Sequence, residues 1–314
     1  MIQLQKNLLS WYKRHGRHEL LWRNTKNLYH IYVSEIMLQQ TQVSRVESHF
    51  YPQFLEMFPT LESLAAAPQD RVLAAWSGLG YYSRARNLQK TAKICEGSLP
   101  QTQEELIKLP GIGRYTASAI CSFGLCENIP VVDTNIARVI KRLFALQTPK
   151  ESELWGSAAA FVNARAPREH NLALMDLGSL ICLSKNPKCQ ECPLADECAG
   201  KENPELYTQS KKTEYESLEL FYGVCIQEGK IALTESKEKM YKDMLVLPNT
   251  DPIEENFLGS FKHSYTKYRL TIHIYEIDEP PTEPIWISLD ALGTAPISSL
   301  TKKAYKIFAK STQL

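Results

Sequence analysis

The sequence has no long hydrophobic run and no leader-like beginning, and these absences narrow what the protein can be. No stretch reaches the roughly 18 apolar residues that a membrane-spanning helix needs. Residues 1–14 are polar and amphipathic, whereas a secretory signal peptide has an apolar segment there. Internal repeats and low-complexity tracts are absent as well. We therefore expect a cytoplasmic protein with no membrane partner.

A strong excess of one charge is also missing, because 36 lysines and arginines nearly balance 35 aspartates and glutamates. The distribution is less even than the total. Residues 71–150 carry 11 basic and 5 acidic side chains, whereas residues 213–314 carry 11 and 15. A basic middle segment is typical of a surface that faces phosphates, and it is equally compatible with ordinary solvated helix faces.

The length and the hydrophobic pattern predict two domains joined by a linker. At 314 residues, the chain exceeds the roughly 100–200 residues of one typical domain. Apolar residues recur at helical spacing in residues 1–202, whereas residues 203–217 are polar and charged and read as a linker. Strand-like alternation begins in residues 218–314. We predict a mostly α protein with a small α+β domain at its C-terminal end.

Several elements are predicted individually from the spacing of apolar residues. The predicted helices are Val33–Val46, Arg71–Ser77, Arg84–Cys95, Tyr115–Phe123, Asn135–Leu146, Leu172–Ile181 and Leu300–Lys310. The predicted strands are Leu218–Ile226, Leu270–Ile277 and Pro284–Ser288.

Four of the eight cysteines form a compact cluster, Cys182-x6-Cys189-x2-Cys192-x5-Cys198. Thiolates are soft ligands, and four of them hold either an iron–sulfur cluster or a zinc ion. Disulfides are disfavoured in a reducing cytosol. Zinc ribbons usually use two Cys-x-x-Cys pairs, and only one is present, so the spacing favours iron–sulfur over zinc. A structural role, shaping a basic loop with Lys185 and Lys188, is sufficient to explain the cluster.

The segment Leu109-Pro110-Gly111-Ile112-Gly113 lies between two predicted helical segments. Thr102 and Glu105 have the spacing of a capping box for the first helix. Gly111 and Gly113 allow a tight turn that approaches a phosphate, and the N-terminus of the second helix presents free N–H groups to it. This pattern predicts a helix-hairpin-helix DNA clamp.

Two carboxylates are candidates for catalysis. Asp133 stands just before a predicted helix, where an N-cap is the simplest interpretation, although a cap aspartate at a cleft can also face a developing cation. Glu35 has a comparable structural interpretation as a glutamate in the first turn of a helix. The polar Gln39-Gln40-Thr41 that follows is unusual on an apolar helix, and its amides and hydroxyl can read base edges.

Together these features resemble the endonuclease III superfamily of helix-hairpin-helix DNA glycosylases. The cysteine spacing, the Leu-Pro-Gly-Ile-Gly hairpin and Asp133 are shared with that superfamily. Three further segments resemble its adenine DNA glycosylase (MutY-type) branch, and the match covers about residues 8–200. These segments are Leu20–Arg23, Ser34–Val43 and Gly78–Arg86.

The resemblance implies a fold and a reaction. It implies two helical lobes, a [4Fe–4S] cluster on the loop 182–198, and an adenine flipped out of double-stranded DNA. Glu35 would protonate N7 of the adenine, with a pKa raised by burial among Trp22, Met37 and Leu38. Asp133, oriented by Asn135, would stabilise or trap the oxocarbenium-like sugar, as paired carboxylates do in glycoside hydrolysis.

Tyr115 decides the subclass within the superfamily. Relatives with lyase activity have a lysine here, which forms a Schiff base with the sugar. A phenol forms no imine, so we expect base removal with little or no strand cleavage.

The resemblance also implies a set of DNA contacts. Leu79 and Tyr81 match a wedge beside the base opposite adenine, and the glycines that flank Leu79 predict an exposed turn. Gln40 and Thr41 match positions near that opposing base. The remaining implied DNA or base contacts are Leu20, Trp22, Arg23, Leu38, Arg84, Gly111, Gly113 and Thr266.

The C-terminal domain resembles the Nudix-like domain that recognises 8-oxoguanine opposite adenine in this branch. Its recognition hairpin matches residues 261–268, where the usual Phe-Ser-His reads Tyr265-Thr266-Lys267. This departure removes an imidazole and leaves the adenine chemistry intact. The sequence shows no metal-binding signature of Nudix pyrophosphatases, so we do not expect nucleotide hydrolysis.

We therefore predict a monomeric, nucleoid-associated monofunctional glycosylase that acts on adenine paired with 8-oxoguanine or guanine. One alternative is a glycosylase of the same superfamily that removes thymine from mismatches or oxidised pyrimidines. The other is a non-catalytic iron–sulfur DNA-binding module.

Overall fold

The computed structural model describes residues 1–208, 214–238, 240–265, 267–293 and 295–311. They fall into two compact units. The first unit contains residues 1–55, 60–62 and 90–208, and the second contains residues 56–59, 63–89 and the described residues from 214 onward. In the described part of the chain, no helix has both the length and the apolar character needed to cross a bilayer.

The helical part precedes the sheets in the sequence, as the hydrophobic pattern predicts. The helices are α1 (Ile2–His15), α2 (Leu28–Leu38), α3 (Val43–Arg45), α4 (Tyr51–Met57), α5 (Leu61–Ala66), α6 (Gln69–Ala75), α7 (Ser83–Ile94), α8 (Gln103–Leu106), α9 (Arg114–Leu125), α10 (Thr134–Leu143), α11 (Glu151–Phe161), α12 (Pro167–Leu180) and, after the strands, α13 (Ser299–Ser311).

Helix α2 is capped at its start, and a turn with a left-handed residue follows its end. The Asn27 side chain accepts hydrogen bonds from the N–H groups of Tyr29 and His30, which satisfies donors that the first turn leaves free. The helix ends at Leu38, and Gln40 adopts a left-handed φ of 56°. The prediction of one helix across Val33–Val46 is therefore wrong. As a consequence, Gln40 and Thr41 lie in a turn rather than on a helix face.

The predicted hairpin is present between α8 and α9. Thr102 caps α8 by accepting from the N–H of Glu105, and its hydroxyl donates to the Glu105 carboxylate, which confirms the capping pair. Gly111 has a φ of 75°, a conformation that side chains with a Cβ rarely adopt. Gly113 is extended and caps α9, and the space around its Cα is open. Only Gly111 is therefore required by the backbone conformation of the turn.

Helices α10 and α12 pack closely because a glycine stands at their contact. A Cβ on Gly178 would lie 2.8 Å from the Cβ of Asn135 and 3.1 Å from its backbone carbonyl carbon. Only a residue without a side chain allows this approach. The glycine thereby holds the start of α10, and the side chains on it, against α12.

The second unit contains two small sheets that resemble the α+β domain predicted from the alternation. The strands are β1 (Glu216–Val224), β2 (Ile226–Gln227), β3 (Lys230–Glu235), β4 (Leu245–Val246), β5 (Phe257–Tyr265), β6 (Tyr268–Glu276) and β7 (Ile285–Ser288). In the first sheet, β6 pairs in parallel with β1 and antiparallel with β5. In the second, β3 pairs antiparallel with β2, β4 and β7. Three predicted strands and the C-terminal helix are confirmed to within two residues, except that the first predicted strand is divided between β1 and β2.

The second unit also includes helical residues that precede the hairpin in the sequence. The Ser77 hydroxyl donates to the carbonyl of Ile297 at 3.2 Å, and the Arg86 guanidinium donates to the carbonyl of Lys242 at 2.6 Å. Residues 63–89 thus pack with the C-terminal residues. The division of the chain into domains 1–202 and 218–314 with a linker at 203–217 stays a prediction about sequence segments.

A buried histidine in α12 lowers the stability of the first unit. His170 is fully buried against the edge of the Phe161 ring, and neither ring nitrogen has a hydrogen-bond partner among the described residues. Burial lowers the pKa of His170 to about 4. The unfolded chain therefore binds a proton more readily than the folded one, and stability is lost as pH falls from about 6.5 toward 4.

Replacement of His170 by leucine is expected to raise the free energy of unfolding by about 1–2 kcal/mol at pH 7, because it removes buried polar atoms that lack partners. The gain should grow at pH 5, since leucine does not titrate. Urea unfolding at both pH values measures the effect. His15→Gln, a change at an exposed histidine, is the control. A His170→Leu variant that loses as much stability as the parent between pH 7 and pH 5 would show that His170 does not cause the acid sensitivity.

Candidate active site and iron–sulfur loop

A cavity of about 820 Å³ lies within the first unit, between α2, α9, α10, α11 and α12. All four residues predicted to be catalytic line it, and so do six of the twelve residues predicted to contact DNA or the base. The predicted residues on its wall are Leu20, Trp22, Arg23, Glu35, Leu38, Gln40, Thr41, Tyr115, Asp133 and Asn135. Glu35 and Asp133 thus border the same cavity.

Glu35 is a buried acid whose pKa is raised to about 7, close to neutral pH. It lies in α2 with 4% of its surface exposed. Burial is the main cause that raises its pKa to about 7, and the nearby Asp133 charge adds to it. A hydrogen bond from Tyr115 and the charge of Arg23 oppose this rise. An acid with this pKa can both hold and donate a proton under physiological conditions.

Tyr115 is the direct partner of Glu35. Its hydroxyl donates to Oε2 of Glu35 at 2.6 Å from the first turn of α9. Burial, together with the charges of Glu35 and Asp133, raises the pKa of Tyr115 well above its usual value. The phenol therefore stays neutral and acts as a fixed hydrogen-bond donor to Glu35.

Asp133 has two hydrogen-bonding roles at the start of α10. One carboxylate oxygen accepts from the Ile136 N–H at 2.6 Å and caps the helix. The other accepts from the side-chain amide of Asn135 at 3.1 Å. Burial raises the pKa of Asp133 above its usual value, and these donors and the charge of Arg138 offset only part of that rise. Asp133 thus has donors that favour its anion, and Glu35 has a burial that favours its neutral form.

The cavity wall includes an ionic cluster that the sequence analysis missed. Asp176 is fully buried in α12 and accepts from both ends of the Arg23 guanidinium, at 2.5 and 2.8 Å, and from the Arg17 side chain at 2.7 Å. Burial raises the pKa of Asp176, but the two arginines outweigh it and keep the pKa below its usual value. The single acidic residue in the apolar segment Leu172–Ile181 was the available signal for this cluster.

The four clustered cysteines border one cavity of their own. Arg142 is buried beside them and donates to Sγ of Cys182 at 3.3 Å and to the carbonyl of Leu183 at 2.6 Å. Arg138 donates to the carbonyl of Cys182 at 2.8 Å. Among the described residues, no three His, Cys, Asp or Glu side chains are arranged to hold a single metal ion. Four soft thiols around one space, beside a buried cation, fit a polynuclear iron–sulfur group with a negative charge.

Three predicted DNA-contact residues lie in the second unit, in and after the turn Gly78–Tyr81. Tyr81 is 37% exposed, whereas Leu79 is only 6% exposed, so the expectation that Leu79 is exposed is wrong. The Arg84 guanidinium is turned inward and donates to the carbonyls of Leu79 and Gly80, each at 3.1 Å. The predicted contact Thr266 lies outside the described residues.

Two family profiles match the chain. Residues 33–158 match the HhH-GPD superfamily of base excision DNA repair proteins, and residues 182–198 match the iron–sulfur binding domain of endonuclease III. The second match covers the four clustered cysteines. Both agree with the hairpin, the cavity and the cysteine loop described above.

Solved structures support the same fold. A thermostable thymine-DNA glycosylase aligns with a TM-score of 0.60 and 27% identity over 63% of this chain and 94% of its own. An endonuclease III–DNA complex aligns with a TM-score of 0.55 and 22% identity over 63% of this chain and 93% of its own. The mostly α helix-hairpin-helix fold with a C-terminal α+β domain is thus confirmed.

Sequence relatives carry one common name. The adenine DNA glycosylase of Buchnera aphidicola subsp. Baizongia pistaciae is 35% identical over 315 aligned positions, which cover 92% of this chain and 87% of that protein. The human adenine DNA glycosylase is 40% identical over 217 positions, which cover 63% of this chain and 39% of that protein. The chain therefore belongs to the adenine DNA glycosylase family, as a base-excision DNA glycosylase with an iron–sulfur binding loop.

Proposed function

We propose that this enzyme hydrolyses the N-glycosidic bond of adenine paired with 8-oxoguanine or guanine in double-stranded DNA, and leaves the strand intact. The observation that carries the proposal is the single cavity lined by both Glu35 and Asp133. Such a site pairs an acid with a pKa of about 7 with an aspartate that accepts two hydrogen bonds. Glycoside hydrolysis requires this combination of a proton donor and an anion.

The proposed reaction begins when the adenine is rotated out of the duplex into the cavity. Glu35 donates its proton to N7 of the base, which makes adenine a better leaving group. Asp133 then faces the positive charge that develops on the sugar, with its orientation fixed by Asn135 and by the cap on α10. The bond between the sugar and the base then breaks, and water adds to the sugar carbon and gives up a proton to a carboxylate of the site, which completes hydrolysis. The Asp176 cluster supports Arg17 and Arg23 on the wall of the base pocket.

Tyr115 supports the absence of lyase activity. Its hydroxyl is engaged with Glu35 at 2.6 Å, at the position where relatives with lyase activity have an amine. A phenol lacks the amine nitrogen that an imine with the sugar aldehyde requires. We therefore expect the abasic site to remain intact until alkali or another enzyme cleaves it.

The loop 182–198 is proposed to hold a [4Fe–4S] cluster through Cys182, Cys189, Cys192 and Cys198. When bound, the cluster crosslinks the loop and supplies no chemistry to bond cleavage. The buried Arg142 offsets the negative charge of the thiolates. Lys185 and Lys188 on the same loop would then face DNA phosphates. A brown colour and absorption at about 400 nm in the purified protein would support an iron–sulfur cluster over a zinc ion.

In the second unit, the turn Gly78–Tyr81 and the hairpin β5–β6 are proposed to take part in recognising the base opposite adenine. Tyr81 has the exposure that insertion into a base stack requires, whereas the buried Leu79 supports the turn from below. Within the helix-hairpin-helix motif, Gly111, Gly113 and the free N–H groups of α9 would hold a phosphate. The β5–β6 hairpin would read 8-oxoguanine, and Thr266 stays a prediction from the sequence.

Arg84 is expected to hold the Tyr81 turn rather than to contact DNA. Gly78, Gly80 and Tyr81 all have positive φ, at 107°, 72° and 49°, so the turn needs support. Arg84→Met removes both hydrogen bonds to the turn and should reduce adenine excision about 10-fold at subsaturating enzyme. The rate at which the base flips out of the duplex, monitored by 2-aminopurine fluorescence, should fall together with the rate of excision.

The control for Arg84 is Arg71→Met, at an exposed arginine of α6 in the same unit. Because Arg84 would act through Tyr81, the double variant with Tyr81→Ala should be no worse than Tyr81→Ala alone. Additive losses would mean that Arg84 contacts the substrate independently.

A panel of labelled duplexes tests the proposed function. Adenine release should be fast from A:8-oxoG and A:G duplexes and slow from A:T, and strand breaks should appear only after alkali or heat. Breaks before that treatment would contradict the monofunctional assignment. Faster processing of a T:G duplex would overturn the adenine assignment in favour of a thymine-mismatch enzyme.

We expect the active species to be a monomer that acts where chromosomal DNA is, in the cytoplasm with the nucleoid.

A further inference from the structure

Helix α13 carries an exposed row of lysines that the reaction does not use. Four of its thirteen residues are lysine and none is acidic, although residues 213–314 as a whole are acidic. Lys303, Lys306 and Lys310 are exposed and lie on one face, because they are three and four positions apart. We call these three residues the lysine row.

In the described part of the chain, the lysine row lacks acidic partners. Among the described residues, none of its three ammonium groups forms an ion pair with a carboxylate. Like charges at these spacings destabilise a helix by roughly 0.2–0.5 kcal/mol per pair. Only Lys310, in the last turn, is favoured by the helix dipole. The arrangement therefore costs stability in the free protein, and an anionic partner would remove that cost.

The row also adjoins the proposed recognition hairpin. Helix α13 packs against β5. The Lys303 ammonium lies 3.4 Å from Nδ1 of His263 and 5.9 Å from the centroid of the Phe261 ring, and both residues are on β5. On its other side, His263 bonds the Tyr241 hydroxyl through Nε2 at 2.7 Å. The network fixes one end of the row to the strand that leads into the hairpin turn.

We propose that the lysine row of α13 binds consecutive backbone phosphates of the substrate DNA. At 1.5 Å per residue, the row spans about 10 Å along the helix axis. One strand of a duplex carries a charge about every 3.4 Å along its axis, so the row spans about three intervals between phosphates. The substrate DNA is the polyanion that a glycosylase must hold, and the hairpin beside the row would read a base of the same duplex.

The test is the salt dependence of DNA binding by the full-length protein. Lysines 303, 306 and 310 are replaced together by glutamine, which keeps helix propensity. In a Glu35→Gln background that preserves the substrate, binding of a fluorescein-labelled A:8-oxoG duplex is followed by anisotropy from low to high salt. Each lost contact should reduce the slope of log K against log salt by about 0.9, so the triple variant should lose roughly 2–3 in slope. Binding near 0.1 M salt should weaken by about 10- to 100-fold.

Two further variants separate phosphate binding from other effects. Arginine at the same three positions keeps the charge and should restore the slope. Glutamine at Lys230 and Lys237, exposed lysines of the same unit outside α13, should leave it unchanged. With Glu35 restored and enzyme saturating, the lysine-row variant should release adenine within about two-fold of the parent rate. An unchanged slope, or weaker binding without a change in slope, would overturn the proposal. A parent protein that binds the duplex with the expected salt dependence but releases no adenine from it would count against the proposed function instead.

Discussion

Glutamine in place of Glu35 should reduce adenine release by at least about 10²–10⁴-fold, the range that a positioned general acid contributes. The substitution keeps the size of the side chain and removes only the proton that the base must receive. DNA binding should survive, because the change is buried in the cavity. Single-turnover release from an A:8-oxoG duplex with saturating enzyme measures the chemical step directly.

The pH dependence of the parent enzyme provides an independent check. Because burial raises the pKa of Glu35 to about 7, the fraction of protonated acid, and with it the rate, should fall as pH rises through 7. Tyr115→Phe removes a donor that favours the ionised form. It should therefore shift this descending limb to higher pH. If the descending limb of the pH–rate profile stayed at the same pH in Tyr115→Phe, a group other than Glu35 would be responsible for it.

Glu35→Gln should raise the free energy of unfolding although it lowers adenine release. The folded pKa of Glu35 lies above the usual carboxyl value of 4.5, so its protonated form is favoured in the fold and stability is lost as pH rises through about 7. Glutamine does not ionise. Glu35→Gln should thus gain unfolding free energy relative to the parent between pH 6 and pH 8. A variant that is both inactive and less stable would indicate structural damage rather than loss of an acid.

Local signals in the sequence predicted much of the site because they act over a few residues. The capping pair at Thr102 and Glu105, the left-handed Gly111 and the cap at Asp133 each depend on groups within four positions. The same short range explains the wrong helix across residues 33–46. The apolar spacing continued, but Gln40 adopts a left-handed conformation that interrupts the helix, which residue spacing does not encode.

Contacts between distant segments were beyond the sequence. Asp176 meets Arg17 and Arg23 across more than 150 positions, and no local pattern pairs them. The packing of residues 63–89 with the C-terminal residues is equally non-local. Leu79 illustrates the same difficulty on a smaller scale. Its flanking glycines predicted the turn correctly, whereas its burial depends on what the turn packs against.

Asp133 tests whether a helix cap also serves catalysis. Asparagine caps helices about as well as aspartate, so Asp133→Asn should keep the bond from Ile136 and change unfolding free energy by less than about 1 kcal/mol. It removes the negative charge that faces the developing cation. We expect single-turnover adenine release to fall by about 10²–10³-fold, the usual cost of losing one preorganised electrostatic contact.

Alanine at position 133 completes the comparison, because it removes both the charge and the cap. Asp133→Ala should lose about 1 kcal/mol more stability than Asp133→Asn, yet its adenine release should be reduced to a similar extent. Thr102→Ala, which removes the cap of α8, should cost similar stability with no loss of single-turnover rate under saturating enzyme. If the asparagine enzyme retained the parent rate while the alanine enzyme lost it, the Asp133 carboxylate would matter only as a cap, and the cation would need another anion on the cavity wall.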